Sequence, residues 1–368
     1  MSSVLTTPDF VGRDPAEITR EMVAAFEAAL GKTLYPAQVE RILLDQIAYR
    51  ETLLRIAIQE TGLQNLAQYA RGVNLDHLGL LTGAARLPAA PARTQVRVSR
   101  VAASGETLVV PQGARVQSSD GALTFITCAD AVLAPLTENT LVWADALDAG
   151  SAMNGITPGQ LNTLPDYSPA QVTAVNVTTS VSGGDAETDD HYRRRVMLSP
   201  ERDAGGTLAA YRLAALSTHA DIVDVAVTSE APGRVRVSAT TATGAPDESL
   251  LDLLRGRLGA EDFKPLTDVV TVTAPVRVPF SVAMSLWLYP GAGDAPLGTV
   301  RKALEEYTAT LRKTLGKDLV PSRFVALAQN VAGVQSVVLE SPTATVLSAH
   351  EWADCEALTV TVAGVSDD

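Results

Sequence analysis

The segment from residue 36 to residue 60 constrains the fold more than any other part of the chain. Its apolar residues recur at helical spacing, which predicts one long helix. One apolar face comprises Val39, Leu43, Ile47, Leu54 and Ile58. A second face beside it comprises Ile42, Tyr49, Leu53 and Ile56. The polar stripe that remains comprises Arg41, Asp45, Thr52, Arg55 and Gln59. So narrow a polar stripe predicts that the helix packs on more than one side.

Two interpretations of this helix stay open. In the first, the helix joins a bundle to which other chains contribute. Its candidate partner-interface residues are then Leu43, Ile47, Leu53, Leu54, Ile56 and Ile58. In the second, the helix is buried within its own domain. The periodicity of a sequence cannot decide between them, because it does not identify the chain that supplies the covering surface.

The first ninety residues are predicted to be helical. Asp14-Pro15-Ala16-Glu17 is typical of a helix start, with an N-cap residue, a proline in the first turn and an acid close behind. Gly31 is predicted to end that helix. Residues 1–90 are therefore expected to form a helical segment.

Strand patterns replace helical ones after Pro88 and Pro91. Apolar runs bounded by turn residues predict strands at 94–101, 108–117, 123–128 and 171–179. A stretch rich in Gly, Asn and Pro, 150–167, lies between the last two runs. Gly183-Gly184 is predicted to end this region. Residues 91–182 are therefore expected to form a β-rich domain.

Helical and strand patterns alternate through the rest of the chain. The predicted helices are 187–197, 206–218, 247–258, 297–315 and 322–330. The predicted strands are 222–228, 234–240, 269–274, 276–288, 334–339 and 357–362. This alternation predicts two α/β subdomains, 183–275 and 276–368. The fold class of the whole chain is predicted to be α+β multi-domain.

The two predicted subdomains share one step. A helix leads into a strand from Tyr211 to Ile222, and again from Phe324 to Val334. A duplicated subdomain would produce this recurrence, but a helix that precedes a strand is also common in unrelated folds. Both explanations stay open.

The charge of the chain argues against nucleic acid as a partner. There are 42 acidic and 29 basic side chains, a formal net charge of −13, which repels a polyanion at long range. The one dense basic run, Arg193-Arg194-Arg195, follows four acids that screen it: Asp185, Glu187, Asp189 and Asp190. No stretch reaches the roughly 18 apolar residues of a membrane span, and no export signal is visible at the start. We expect no nucleic-acid or membrane partner, and we expect assembly in the cytoplasm.

No motif of enzyme chemistry stands out. The four histidines, His77, His191, His219 and His350, are scattered and form no HExxH pattern. The nucleophile elbow GxSxG and the phosphate loop GxxxxGK[ST] are both absent. The acidic cluster is predicted to be a solvated first turn whose acids pair with Arg193 and Arg194, and not a metal site. We therefore expect no catalytic residue, no cofactor and no metal.

Short motifs follow one another in a collinear order over residues 65–340. The first contains Gly72, Leu75 and Asp76, and Pro111-Gln-Gly113 follows it. The middle block contains Gly183, Gly184, Glu187, Arg193 and Arg195. The second half contains Gly205-Gly206 with Tyr211, and then Pro265-Leu-Thr-Asp268. In this order the motifs resemble those of the baseplate J-like family, which occurs in contractile phage tails and related particles.

The resemblance implies a structural subunit of the baseplate wedge and not an enzyme. Two copies of such a subunit would join one related wedge partner, and six wedges would form a ring around the central hub. The implied partners are other baseplate wedge proteins, a sheath-initiator-like subunit and further copies of the chain. The implied location is the baseplate of the virion tail, assembled in the host cytoplasm and rearranged when the sheath contracts.

Two other functions are weighed beside this one. The chain could be a hydrolase whose site residues converge only in the folded protein, which an activity screen would detect. It could also be a host-surface binding module, because the middle of the chain is rich in Thr and Val. Such a module should bind cells or glycans by itself, whereas a wedge subunit should copurify with other tail proteins.

Overall fold

The computed structural model describes residues 6–101, 106–169, 171–201, 205–260, 263–265 and 267–367. Leu266, within the Pro265-to-Asp268 motif, lies outside the described residues. The chain divides into two compact units, Met1–Ala85 and Arg86–Asp368. The N-terminal unit is helical, and the second unit contains a β-rich region followed by α/β parts. The predicted α+β fold class is confirmed.

The N-terminal unit contains helices α1 (Pro15–Leu30), α2 (Val39–Gln64) and α3 (Gly72–Leu81). Both predicted ends of α1 are confirmed. The Asp14 carboxylate accepts a hydrogen bond from the Ala16 N–H at 2.9 Å. Gly31 takes the left-handed conformation (φ 65°), and its N–H donates to the Glu27 carbonyl at 2.9 Å. Glycine tolerates this conformation without steric cost, so the helix can end there.

Helix α2 turns its polar stripe toward its own unit. Thr52 and Gln59 are 6% and 5% exposed. The Gln59 side chain accepts a hydrogen bond from the Phe10 N–H at 2.9 Å and donates to the Pro8 carbonyl at 2.7 Å. The small core of the unit uses Val23 and Leu34 together with Leu44 of α2. Two residues of the predicted polar stripe, Thr52 and Gln59, are thus covered by their own chain.

The β-rich region forms one six-stranded sheet and one short hairpin. Its strands are β1 (Pro91–Arg100), β2 (Leu108–Val110), β3 (Arg115–Ser118), β4 (Thr124–Thr127), β5 (Ala131–Leu133), β6 (Asn139–Ala149), β7 (Leu161–Thr163) and β8 (Val172–Asn176). The large sheet has the order β7-β3-β4-β6-β1-β8, and β2 pairs with β5. The predicted run 108–117 is therefore two strands, because the chain turns at Gly113 with φ 85°.

Strand β6 was not predicted, although it has eleven residues. Its inward side chains are Val142, Ala144 and Ala146, all buried, whereas Leu141 and Trp143 are exposed. In a typical half-buried strand, the large apolar residues face the core and polar residues face water. In β6 the large apolar residues Leu141 and Trp143 face outward, so the alternation does not mark a strand in the sequence. Strands β5 and β7 were also missed, since three residues are too few for a periodic pattern.

One buried side chain joins the two end strands of the sheet. The amide oxygen of Asn176, in β8, accepts hydrogen bonds from the N–H groups of Gly159 and Leu161 at 2.9 and 3.0 Å. Its amide nitrogen donates to the Thr157 and Thr178 carbonyls at 2.9 and 3.1 Å. Asn176 is 1% exposed. It thereby closes the sheet into a barrel-like shape around an apolar core that includes Phe125.

The α/β parts follow the barrel-like region. The first contains α4 (Asp189–Leu198), α5 (Leu208–Leu216), β9 (Ile222–Ala231), β10 (Arg234–Thr241), α6 (Glu248–Gly259) and β11 (Val269–Val272). The second contains β12 (Val276–Leu288), α7 (Ala295–Arg312), α8 (Pro321–Gln329), β13 (Val334–Ser341) and β14 (Glu351–Val365). Single 3₁₀ turns lie at Ser151–Met153 and Ser199–Glu201.

Each α/β part has a three-stranded sheet whose middle strand has one antiparallel and one parallel neighbour. The orders are β11-β10-β9 and β13-β12-β14. A helix feeds an antiparallel edge strand in both, α5 into β9 and α8 into β13. The connections differ, however, because β10 follows its edge strand whereas β12 precedes both helices. The likeness is one of helix and strand placement, and the order of the strands along the chain does not repeat.

Replacing Asn176 by Ala should destabilise the barrel-like region by about 1–3 kcal/mol, because the buried Leu161 N–H loses its acceptor. Chemical denaturation followed by the fluorescence of Trp143 measures this loss. Asn162→Ala is the matched control, since Asn162 is exposed on β7. Equal destabilisation by both substitutions would contradict the closing role of Asn176.

Candidate functional site

The six candidate partner-interface residues form what we call the α2 apolar surface: Leu43, Ile47, Leu53, Leu54, Ile56 and Ile58. Each side chain is between 42% and 61% exposed. Val39 and Tyr49 extend the same surface and are 79% and 59% exposed. Soluble monomers rarely leave so many large apolar side chains together in water. The described part of the chain does not cover this surface, so its role as a partner interface remains a prediction with a specific location.

The Gly183-Gly184 motif lies where the chain leaves the barrel-like region. The Gly184 N–H donates to the Ala90 carbonyl at 3.0 Å, and the Gly184 carbonyl accepts from the Ala90 N–H at 2.8 Å. A Cβ on Gly183 would lie 2.6 Å from the Gly150 carbonyl oxygen, and one on Gly184 would lie 2.5 Å from Cε1 of His219. Only glycine allows these close approaches. The motif therefore lets the segment that leaves the barrel-like region, at Gly184, pair with the segment that enters it, at Ala90.

Glu187 lies three residues beyond this pairing and is 3% exposed. Its Oε1 is 2.5 Å from Nδ1 of His191. Its Oε2 accepts hydrogen bonds from Arg195 at 2.6 Å and from the Leu87 N–H at 2.7 Å. Burial by itself raises the pKa of Glu187, but the hydrogen bonds from His191, Arg195 and Leu87 outweigh it and lower the pKa below its ordinary value. Glu187 is thus an anion enclosed by donors.

Arg86 adds to this cluster from the segment that enters the barrel-like region. Its guanidinium donates to the Glu187 carbonyl at 2.8 Å and to the Asp189 carboxylate at 2.7 Å. It also lies over the ring of Tyr192, 4.7 Å from the centroid. We call Arg86, Leu87, Glu187, His191, Tyr192 and Arg195 the Glu187 junction. Through it, the chain before the barrel-like region is tied to helix α4 after it.

The Glu187 junction also reaches the first α/β sheet. Nε2 of His191 is 2.8 Å from the Ile222 carbonyl oxygen, at the start of β9. The Arg195 guanidinium donates to the Ser217 hydroxyl at 3.1 Å, at the end of α5. One cluster of side chains therefore connects the barrel-like region, α4, α5 and β9.

The prediction that the acids at 185–190 form a solvated face is wrong in two respects. Glu187 is buried, and its partners lie four and eight residues on. Asp189 pairs with Arg86, which lies 103 residues earlier in the chain. Asp190 pairs with Arg193, three residues on, at 2.6 Å, whereas the prediction gave it Arg194. The contact of Asp189 with Arg86 is non-local, so the spacing of charges in the sequence could not predict it.

A second motif cluster surrounds Asp268. The hydroxyl of the buried Tyr211 donates to the Asp268 carboxylate at 2.7 Å. Burial, and then Asp268, raise the pKa of Tyr211 above its ordinary value. The Asp268 N–H donates to the Pro265 carbonyl at 3.0 Å, and a Cβ on Gly206 would lie 3.2 Å from the Pro265 ring. The motif residues of the second half thus form one turn that leads into β11.

The first motif lies in the N-terminal unit. Gly72 begins α3 with φ 51°. Leu75 is fully buried and Asp76 is partly buried. The neighbouring His77 is exposed on the same helix, so it forms no acid–base pair with Asp76 through adjacency.

The side chains of the Glu187 junction bind one another. Both carboxylate oxygens of Glu187 are already occupied by donors, and its side chain has no exposed surface. Among the residues that the structure describes, no three His, Cys, Asp or Glu side chains are placed to hold a metal ion. Within that same part of the chain, no helix has both the length and the apolarity needed to cross a membrane.

A pocket of about 810 Å³ opens beside the Gly183-Gly184 pairing. Arg93, Trp143, His219 and Arg257 are among its lining residues. Its Arg93 is not available to bind an anion, because it pairs with Asp145 at 2.6 Å.

The sequence pattern could have revealed part of the Glu187 junction. Glu187, His191 and Arg195 are spaced by four residues each, which places them near one another at a helix start. The roles of His191 and Tyr192 were missed, because a helix of mixed charge is usually solvated. The contact of Arg86 with Asp189 spans 103 residues, and no local pattern carries it.

Replacing Glu187 by Gln should lower the free energy of unfolding at pH 7 by about 3–5 kcal/mol, because buried Arg195 loses its counter-charge. Since the pKa of Glu187 is lowered by folding, its stabilisation is present above the ordinary glutamate pKa of about 4.3 and is lost as pH falls through the lower folded value. The gap between wild type and Glu187→Gln should therefore narrow in acid. Denaturation curves at pH 7 and at lower pH measure it.

The matched control for Glu187→Gln is Asp190→Asn, three residues on in the first turn of α4. The Asp190 side chain is 90% exposed in its pair with Arg193, so this change should cost less than about 1 kcal/mol. A pH-independent gap for Glu187→Gln would contradict the assignment of Glu187 as a buried anion.

Comparison with known proteins gives four matches in chain order. Residues 41–93 match the Baseplate J-like protein N-terminal domain, and 95–184 match the Baseplate J-like protein barrel domain. Residues 203–274 match the Baseplate J-like central domain, and 280–361 match the Baseplate J-like protein C-terminal domain. The resemblance inferred from the motifs is confirmed.

Two individual proteins are similar to the chain. Baseplate protein J of Escherichia phage P2 is 32% identical over 228 residues, which are 61% of this chain and 73% of the phage protein. A cryo-EM structure of the anti-feeding prophage (AFP) baseplate, 6-fold symmetrised, contains a chain with 13% identity and a TM-score of 0.44, over 93% of this chain and 89% of that one. From the four ordered domain matches and the phage relative, the chain belongs to the baseplate J-like family.

Proposed function

We propose that this protein is a structural subunit of the baseplate of a contractile phage tail or tail-like particle. Membership of the baseplate J-like family supports this role. The observation that carries it beyond the family is the α2 apolar surface, which the chain itself leaves exposed. A protein that works alone would lose stability and solubility by exposing it, whereas an assembly subunit needs it.

The finer form of the proposal is a wedge subunit. In it, the α2 apolar surface packs in a helical bundle with a related wedge partner, a sheath-initiator-like subunit or further copies of the chain. Six wedges then form the ring around the central hub of the virion tail, after assembly in the host cytoplasm. The proposed domains are the helical segment 1–90, the β-rich domain 91–182 and the α/β subdomains 183–275 and 276–368.

The geometry of α2 supports packing on two sides. Leu43, Ile47, Leu54 and Ile58 lie on one flank, and Leu53 and Ile56 lie on the other. Thr52 and Gln59, on the remaining side of the helix, are buried. Each side chain is about half exposed, so covering it contributes on the order of 1 kcal/mol. The six side chains together therefore offer roughly 6 kcal/mol of apolar burial, which favours association but is less than the roughly 8 kcal/mol of a micromolar complex, so further contacts are needed for stable assembly.

The Glu187 junction and the Asp268 turn support a structural role and not a catalytic one. They hold successive parts of the second unit in fixed relation by buried hydrogen bonds. A subunit that rearranges when the sheath contracts must transmit force without unfolding. Buried, fully paired charges suit this requirement, because breaking them leaves an uncompensated ion.

Leu43→Glu together with Leu54→Glu should abolish incorporation of the chain into baseplates. Both side chains are 61% exposed, so the fold should survive, but two carboxylates cannot be buried in an apolar bundle. The measurement is copurification of the tagged full chain with the other structural proteins of the same particle. The matched control is Leu147→Glu with Leu208→Glu, which are 59% and 56% exposed in the second unit.

A chain that lacks residues 1–62 should also fail to copurify, because it has lost α1 and almost all of α2. Incorporation of this truncated chain, or of the Leu43→Glu and Leu54→Glu variant, would overturn the proposed role of the α2 apolar surface.

A further inference from the structure

The two α/β parts of the second unit have separate cores. One core includes residues of α5, β9 and β10, the other includes residues of β12, α7 and α8, and no described residue belongs to both. The contacts between the parts are local. The Leu315 N–H donates at 3.0 Å to the Asp224 carboxylate, which also pairs with Arg212. The ring of Trp352 lies so close to Gly244 that a Cβ there would be 2.5 Å from it. We call these contacts the joint, and it can open while both cores stay folded.

His350 belongs to the joint and lies in the turn before β14. Its Nε2 is 2.6 Å from the Thr228 hydroxyl oxygen on β9, and its Nδ1 is 3.0 Å from the Ser238 hydroxyl oxygen on β10. The His350 carbonyl accepts from the Val276 N–H at 2.9 Å, which anchors the residue at the start of β12. The ring therefore reaches from the second α/β part to two strands of the first.

The hydrogen bonds behind Ser238 decide which nitrogen of His350 carries the hydrogen. Nε of Arg236 donates to the Thr273 hydroxyl at 3.1 Å, and this hydroxyl is 3.0 Å from that of Ser238. A guanidinium can only donate. The arrangement that gives each of these donors an acceptor therefore has Thr273 donating to Ser238, and Ser238 donating to Nδ1 of His350. The hydrogen of the neutral ring is then on Nε2, which donates to Thr228.

A second hydrogen on the His350 ring disrupts this arrangement. Nδ1 becomes a donor, so the Ser238 hydroxyl must turn its hydrogen from the ring toward Thr273. Ser238 is 0% exposed, so its hydrogen has to be accepted within the protein. The Thr273 hydroxyl then receives two hydrogens and loses the acceptor of its own, which costs free energy in a partly buried site. The protonated ring thus fits the joint less well than the neutral ring.

The charges near the ring also favour its neutral form. Burial, and then the charge of Arg236 on β10, lower the pKa of His350, and Glu230 on β9 opposes them only in part. Glu230 is exposed and pairs with Arg236 at 3.3 Å. In the second α/β part, Glu351 accepts from a backbone N–H of its own turn, and Arg277 on β12 binds acids of β14. The charged groups of that part are therefore occupied by other partners.

We propose that His350 is a proton-sensitive switch at the joint between the two α/β parts. The neutral ring holds the parts together through Thr228 and Ser238, and the protonated ring loosens the joint while each part stays folded. The contact is complete above the ordinary histidine pKa of about 6.5, and it weakens as the pH falls from there through the lower folded value. This inference goes beyond the proposed baseplate role and does not depend on it, since the switch lies within a single chain.

The test measures amide hydrogen exchange of the purified full chain by NMR from about pH 8 to about pH 5.5, which stays above its isoelectric point of about 4.8. The reporter is the Leu315 N–H, whose bond to Asp224 crosses the joint. Its protection, corrected for the intrinsic exchange rate at each pH, should fall about three- to tenfold. Tenfold is the limit, because an open ring of ordinary pKa is protonated about ten to one at pH 5.5. Amides in the core of β12 should keep their protection.

Two variants and a control separate this switch from other effects of acid. His350→Gln removes the titrating group and keeps an amide that can donate to Thr228, so the fall in Leu315 protection should disappear. Arg236→Gln removes a repelling charge, which raises the pKa of His350 towards its ordinary value, so the fall should become smaller. His77→Gln is the matched control, because His77 is exposed on α3 in the N-terminal unit, and its protein should behave like the wild type.

Titration of the labelled histidine rings tests the wild-type chain directly. The ring signal that is missing from His350→Gln should titrate with a pKa below about 6.5. A raised or ordinary pKa for this ring overturns the proposal. So does wild-type protection of Leu315 that stays constant with pH, or a fall that persists in His350→Gln. An equal loss of protection in the core of β12 would mean unfolding instead of opening of the joint, and would overturn it too.

Discussion

The second unit depends on the burial of one carboxylate. Glu187 accepts hydrogen bonds from the chain that enters the barrel-like region and from the helix that follows it, and no water-exposed surface remains on its side chain. A buried charge is costly unless donors surround it, so each donor is held in place as firmly as the acceptor. Glycine at 183 and 184 allows the close packing before this carboxylate, because a Cβ would meet the Gly150 carbonyl oxygen at 183 and the His219 ring at 184.

Farther along, the two α/β parts are joined by a smaller set of polar contacts. The ring nitrogens of His350 are 2.6 Å from the Thr228 hydroxyl and 3.0 Å from the Ser238 hydroxyl, both in the first sheet. Burial, and then the charge of Arg236, lower the pKa of His350. The Leu315 N–H donates to the Asp224 carboxylate at 3.0 Å. The bonds of His350 to the two hydroxyls are neutral and can exchange partners at low cost, whereas those of the Glu187 junction cannot. If the proposed rearrangement occurs, the contacts of His350 are a more suitable place for it than those of Glu187.

The N-terminal unit differs from the second unit in what it leaves exposed. Its helix α2 buries Thr52 and Gln59 and exposes Leu43 and Leu54. Exposing these apolar side chains to water costs free energy, and the small core of the unit offsets little of it. The α2 apolar surface is therefore left uncovered by the described part of the chain.

Much of the architecture followed from local pattern in the sequence. The ends of α1 at Asp14 and Gly31, the residues of β12 and the α+β class were all predictable, since caps and periodicity act between near neighbours. The six residues of the α2 apolar surface were identified by the same means. Strand β6 was not, because its small residues face inward and its large apolar residues face out.

Tertiary structure alone decided what the motif residues do. The sequence placed Glu187 among acids that should be solvated, and only folding brought Arg86 and Leu87 to it from about a hundred positions away. Tertiary structure also decided which side of α2 the chain covers. Periodicity specifies that a face is apolar, but the surface that packs against this face can come from any part of the chain or from another chain, and no local pattern identifies it.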